Sequence, residues 1–283
     1  MATIIFDIET GALPREKALS LVDAFRPYQP LEPWQDWPPF DPAEVKLGNT
    51  KDENKIKEKI EAARDKYATD QAKAKAEHER KLATAEADYA AEKVAYEDKA
   101  LEKAALSALT GQVLAIGYLN PALESPVCIE TQGDRFNENQ LLERFWKRWQ
   151  KAEGSRWIGF NSNRFDVPFL VQRSIILGVS VPAQVLNLSG GKIYLSPSFI
   201  DLMPVWLCGV YGATFVSLDK LGTALDCGCK ADCTTVDPAT GEVVPVSGKD
   251  FAKLLAADPE KAREYLANDL KVTLGVAQRL GVV

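Results

Sequence analysis

Within residues 3–10 an apolar, strand-forming run ends in two acids, Asp7 and Glu9, separated by Ile8. In a strand, side chains alternate between faces, so positions i and i+2 point the same way. Asp7 and Glu9 are therefore expected side by side, with Ile8 turned into a core behind them. A different pattern follows in residues 11–50, where Pro27, Pro30, Pro33, Pro38, Pro39 and Pro42 are interleaved with Phe25, Tyr28, Trp34, Trp37 and Phe40. This predicts an ordered loop rather than a helix. Its aromatics either stack on unpaired bases or, more often, pin an irregular loop to its domain.

Residues 51–106 contain no Gly or Pro and are rich in Ala, Lys and Glu, a helical composition throughout. Ile56, Ile60, Ala63 and Tyr67 keep a four-three-four spacing that weakens to Ala74, Leu82, Ala85 and Tyr89, so a sustained coiled coil is not supported. One straight helix would run about 84 Å, longer than the body of such a domain. A helical hairpin is expected instead.

Beyond Gly111 the apolar runs are short. Strands are predicted at 113–118, 126–130 and 156–160, with one more at 198–202. Amphipathic helices are predicted at about 137–152, with Leu141, Leu142, Phe145 and Trp149 on one face, and at 167–177. Further helices follow at about 217–225, 249–257 and 259–280, and a hairpin at 234–246. Strands giving way to strand–helix alternation predict an α/β protein with a mixed sheet. The expected division is residues 1–10 with 111–283 as the main domain, 11–50 as a loop insertion and 51–110 as a helical insertion.

The chain has 283 residues, a formal net charge of −6 and five cysteines. Its acidity argues against a protein that coats nucleic acid by overall basicity, though not against a local basic channel. The insertion is nearly balanced, with 13 basic and 14 acidic residues. No signal peptide or membrane anchor is read, and an odd number of cysteines without a secretion signal fits a cytoplasmic, intracellular location with free thiols. Cys227, Cys229 and Cys233 lie close together but lack CxxC pairs, and a zinc site would need Cys208, Asp226 or Asp232 to complete it.

Two further acids stand out. Asp166 falls where a strand gives way to a helix, in Gly159-Phe160-Asn161-Ser162-Asn163-Arg164-Phe165-Asp166-Val167-Pro168; alone it would be read as a helix cap. Tyr265 and Asp269 are spaced i and i+4 on a clear helix and share one face. Acids brought this close repel one another, and a divalent cation is the simplest species that makes the arrangement favourable.

In combination, IFDIET, GFNSNRFDVPFL and EYLANDL resemble the three motifs of the DEDD (DnaQ-like) superfamily of 3′-to-5′ exonucleases. The Tyr-x-x-x-Asp form of the third is similar to the tyrosine branch, DEDDy, which includes family B DNA polymerase proofreading domains and stand-alone relatives. The segments 199–203 and 217–221 also look like those that join the second and third motifs. The resemblance implies an RNase H-like fold and two Mg²⁺ or Mn²⁺ ions held by Asp7, Glu9, Asp166 and Asp269. It further implies that Tyr265 orients the attacking water, and that Thr10, Asn161, Arg164 and Phe165 contact substrate. The lone histidine, His78, lies in the insertion and so does not supply the imidazole of the histidine branch.

The implied activity is release of nucleoside monophosphates from single-stranded or frayed DNA 3′ ends, with a separate replication or repair protein as partner. An exoribonuclease is the alternative within enzymes. A catalytically silent nucleic-acid-binding or scaffolding module is the alternative outside them. The insertion puts substrate range in doubt, and the acidic core requires local cationic contacts, for which Arg164, Lys192 and Lys220 are the candidates.

Overall fold

A computed structural model describes the chain apart from residues 1, 50, 125, 134, 190–191, 211–213, 230–233, 237–242, 246–247 and 249–250. Strands β1 (Thr3–Ala12), β2 (Gly111–Leu119), β3 (Val127–Thr131) and β4 (Arg156–Gly159) belong to the principal sheet. So does β7 (Phe199–Asp201), which follows a separate pair, β5 (Leu186–Ser189) and β6 (Lys192–Leu195). The helices are α1 (Arg15–Leu19), α2 (Glu53–Ala104), α3 (Glu138–Lys151), α4 (Asp166–Ile176), α5 (Leu202–Trp206), α6 (Leu218–Ala224), α7 (Phe251–Ala257) and α8 (Pro259–Arg279). A small hairpin, β8 (Thr234–Val236) with β9 (Val243–Pro245), precedes α7. The turn expected within it, 237–241, lies outside the described residues.

The principal sheet has the order β3-β2-β1-β4-β7, with β2 antiparallel to its neighbours β1 and β3, and β4 and β7 parallel to β1. A mixed five-stranded sheet flanked by helices, with β1 at its centre, is the RNase H-like arrangement. Alternation along β1 sorts its side chains. Ile4, Phe6 and Ile8 join one core with Leu141, Leu142 and Phe145 of α3 and Val167 and Leu170 of α4. Ile5 joins a second core with Leu270, Val272 and Val276 of α8. Asp7 and Glu9 share the face of Ile5, towards α8.

The helix ends follow the local sequence. Asn137 caps α3 by accepting from the Gln140 N–H while the Gln140 side chain accepts from Asn137 N–H, a closed capping box. Asp258 caps α8, and Pro259 at its first position gives up no hydrogen bond that a helix would have made. Glu138, one residue into α3, is buried and accepts from the Val113 N–H at 2.8 Å and from Arg173 Nε and Nη2 at 2.8 and 2.6 Å. Arg173 Nη1 also donates to the Ala108 carbonyl at 3.0 Å, so one paired charge ties α3, α4 and the entry to β2 together.

The chain divides into two compact units, residues 1–23 with 99–283, and residues 24–98. The second unit corrects the hairpin expectation. Residues 53–104 are one continuous helix of 52 residues, about 78 Å long at 1.5 Å per residue. It does not fold back, because it contains no Gly or Pro to break it and the partner for its less polar stripe comes from elsewhere. The Pro-rich segment runs antiparallel along it. Phe25 packs on Tyr89 and Tyr96, Tyr28 on Tyr89, Trp34 on His78, and Trp37 and Phe40 on Tyr67. Tyr89 and Tyr67 donate to the carbonyls of Arg26 and Pro38, and Lys59 donates to that of Leu47 at 3.0 Å. The aromatics do pin the loop, but to the helix.

Candidate active site

β1 places Asp7 and Glu9 opposite Gly117 and Ala115 of β2. Both neighbours are small, and this allows α8 to lie close to the sheet. A Cβ on Gly117 would meet Leu270 Cδ1 at 2.9 Å and Leu266 Cγ at 3.0 Å. On the facing side of α8, Tyr265 and Asp269 are both 1% exposed. Carboxylate oxygens of Asp7, Glu9 and Asp269 all lie within 4.8 Å of one another. The Tyr265 ring packs against Phe251 of α7, with centroids 6.0 Å apart, in a cluster that contains Ala115 and Leu266.

Asp166 reaches the same place from the other parallel strand. It is the first residue of α4 rather than its cap, which is Phe165 and makes no side-chain capping bond. Asp166 Oδ1 accepts from the Ile8 N–H at 3.2 Å, and its carboxyl shares a hydrogen bond with that of Asp7. Burial pushes the Asp166 carboxyl up to about 7, against the opposing pull of the Asp7 contact and the Ile8 and Asp166 amides, with the charge of Asp201 raising it further. Four acids are thus gathered about β1, and one of them holds a proton near neutrality.

This donor set fits divalent cations. It consists of carboxylate oxygens with no nitrogen or sulfur, the preference of Mg²⁺ and Mn²⁺. The raised Asp166 shows negative charge that burial leaves poorly compensated, which a cation would relieve. Asp7, Glu9, Asp166 and Asp269 are the residues that would hold it.

The residues expected to meet substrate are placed less uniformly. Thr10 is buried and its hydroxyl donates to the Ala105 carbonyl at 2.8 Å. Phe165 packs on Phe169, with centroids 5.5 Å apart, at the edge of the α3–α4 core. Arg164 is exposed, and so is Lys220 on α6; the Lys192 side chain is outside the described residues. Cys227 and Cys229 are free thiols, while Cys233 and Asp232 lie outside the described residues.

Asp201 is a residue whose part sequence reasoning missed. It ends β7 beside Gly159 of β4 and is buried. Its Oδ1 accepts from the amides of Asn161 at 2.8 Å and Met203 at 2.9 Å, and its Oδ2 from the Asn163 amide at 3.1 Å. These bonds hold the turn between β4 and Asp166, including Asn161 in the left-handed region at φ 58°. Burial raises the Asp201 carboxyl despite them. The available signal was an acid closing the strand of Phe199-Ile200-Asp201, level with the chain's second acidic motif.

Residues 109–192 match the family described as a predicted 3′-5′ exonuclease related to the exonuclease domain of PolB. That stretch contains Asp166 but not Asp7, Glu9, Tyr265 or Asp269. Among solved structures, the family B DNA polymerase of the hyperthermophilic archaeon Pyrobaculum calidifontis is similar over 63% of this chain and 23% of its own, with 18% identity and a TM-score of 0.47. The chain therefore spans about a quarter of that polymerase. A search of the curated proteins returns no match. No described helix is long and apolar enough to cross a membrane. The family match takes in β2, β3, β4 and α4 of a sheet of RNase H-like order.

Proposed function

We propose that the protein is a metal-dependent 3′-to-5′ exonuclease of the tyrosine branch that releases nucleoside monophosphates from single-stranded or frayed DNA ends. The observation that carries this is the convergence of Asp7, Glu9 and Asp269 oxygens within 4.8 Å, with Asp166 joined to Asp7 by a hydrogen bond. A pair of divalent cations, when bound, would supply the charge that activates a water and stabilises the departing 3′ oxygen. The protein's own part is positional. The strand fixes Asp7 and Glu9, while α8 presents Asp269 and, one turn earlier, Tyr265. The Tyr265 hydroxyl would orient the water for in-line attack, and Asp166 would act as a cation ligand in its ionised form. The small residues of β2 let α8 approach the sheet, and Phe251 of α7 packs against the Tyr265 ring.

A single-stranded DNA labelled at its 5′ end should shorten stepwise with Mg²⁺ and stay intact in EDTA. Asp7→Ala and Asp269→Ala should each lower the rate by about 10³-fold or more, the scale of losing a group that holds transition-state charge. Undiminished activity in the double variant would sink the reading. An RNA oligomer of the same sequence, run in parallel, separates deoxyribonuclease from exoribonuclease action. Metal binding without turnover of either polymer would instead support the silent module.

A further inference from the structure

The chain is acidic overall, yet four cations line one open cavity of about 420 Å³ on the far side of the sheet: Arg144, Lys147, Arg148 and Lys151 of α3. Two of them are held in place. Glu130 of the edge strand β3 is buried, and its Oε1 accepts from Arg144 Nε at 3.1 Å, Arg144 Nη2 at 2.6 Å and Arg148 Nη2 at 3.0 Å. The Arg148 guanidinium lies 4.3 Å from the Tyr118 ring centroid, and that of Arg144 lies 4.6 Å from Phe136. Nη1 of both guanidiniums has no hydrogen-bond partner among the described residues. Lys147 pairs at 3.3 Å with exposed Glu143, a contact of little energetic weight in water. Two acids against four bases leave the groove net positive. The helix dipole accounts for cations in the last turn of α3, Arg148 and Lys151, but not for Arg144 and Lys147.

The groove is connected to the site. Glu130 faces α3, and the next residue, Thr131, faces α8. There Arg263 Nη2 lies 3.5 Å from Thr131 Oγ1. Thr131 pairs with Ala115 and Ala115 with Glu9, so Arg263 stands two strand spacings, about 10 Å, from the acidic cluster. Arg263, whose Nη1 also donates to exposed Glu260 at 2.6 Å, thus stands between the carboxylates and the groove, at the end of the edge strand.

We propose that the groove between α3 and β3, with Arg263 at its turn, is a phosphate track that holds the nucleic-acid strand upstream of its 3′ end. The proposal rests on the exonuclease reading and supplies the local basic channel that an acidic nuclease needs. Planar guanidiniums pre-set by a buried carboxylate suit phosphate oxygens, and a rim of mobile lysines suits a ligand whose charge repeats along its length.

The test uses the full chain and a Lys147→Glu, Lys151→Glu double variant, both positions being exposed on α3. Binding of a long labelled single-stranded oligonucleotide is measured in EDTA across a salt series. Hydrolysis of a chromogenic nitrophenyl ester of a nucleoside 5′-monophosphate is measured with Mg²⁺. The variant should bind the oligonucleotide about ten-fold more weakly, with a log–log salt slope shallower by about 1.4 for two lost contacts, and should hydrolyse the ester as the parent does. Unchanged oligonucleotide affinity and slope would overturn the track. Loss of poly-glutamate binding with oligonucleotide binding intact would overturn it in favour of an acidic protein partner. A parent protein that binds the oligonucleotide but leaves the ester untouched would strike the exonuclease reading, while the binding data still decide the groove.

Discussion

Burial raises the Asp166 carboxyl to about 7, against the pull of its hydrogen bond with Asp7 and of the Ile8 amide. In the unfolded chain the same group titrates near 3.8. Between those values the metal-free folded protein binds more protons than the unfolded one, so raising the pH destabilises it. Thermal melts in EDTA should accordingly fall as pH rises from about 4 to 8. Asp166→Asn, which cannot ionise, should flatten that slope. Cation binding must displace the proton, so Mg²⁺ affinity measured by calorimetry should rise with pH through about 7 and release protons to the buffer. A pH-independent affinity would remove Asp166 from the ligand set. Asp201 calls for a separate measurement. Removing it in Asp201→Ala leaves three buried or half-buried amides without their acceptor. We expect a loss of about 2–3 kcal/mol in denaturant melts, and a fall in kcat larger than the rise in KM as Asp166 loses its fixed approach. Of these acids, Asp7, Glu9, Asp166 and Asp269 were legible because each belongs to a short motif. Asp201 was not, because its partners lie 38 and 40 residues away and are backbone amides, which carry no sequence signature.

At the level of elements, the site depends on how closely α8 approaches β2. Gly117 has no side chain where Leu266 and Leu270 press against the sheet, and an added methyl would fall 2.9 to 3.0 Å from their carbons. Gly117→Ala should force the helix outward by a few tenths of an ångström at a cost of about 1–3 kcal/mol. The greater effect should be on turnover, since α8 carries both Tyr265 and Asp269 while β1 carries their counterparts. Activity that falls no further than stability predicts would separate helix approach from catalysis. The regular elements were legible from period alone. The 3.6-residue pattern placed α3 and α8 to within a residue or two. The β5–β6 pair escaped, because two four-residue strands give the period-2 pattern too little length to register.

For the whole molecule, the misread element is the most instructive. The hairpin expectation took one straight helix to be too long for a domain of this size, yet the helix runs unbroken for 52 residues. Its cover is an extended, proline-spaced segment with no period to recognise, whose aromatics alternate with the tyrosines of α2 and with His78. This arrangement also brings the two ends of the second unit together, for Phe25 and Tyr96 stack with centroids 5.3 Å apart. A short Gly-Ser linker should therefore replace residues 24–98 without stretching the sheet, because residues 23 and 99 flank that contact. The five strands, the four acids, Tyr265 and the α3 groove all lie in the remaining unit. We expect the shortened protein to keep a cooperative melt and to hydrolyse a nitrophenyl nucleoside ester within about two-fold of the full chain, since a compact unit with its own core can fold alone. Retained ester hydrolysis with altered processivity or altered preference among long single-stranded, frayed and duplex ends would assign the arm to substrate choice. Loss of the melt itself would show that the sheet needs the arm in order to fold, and would refute the division of labour between the two units.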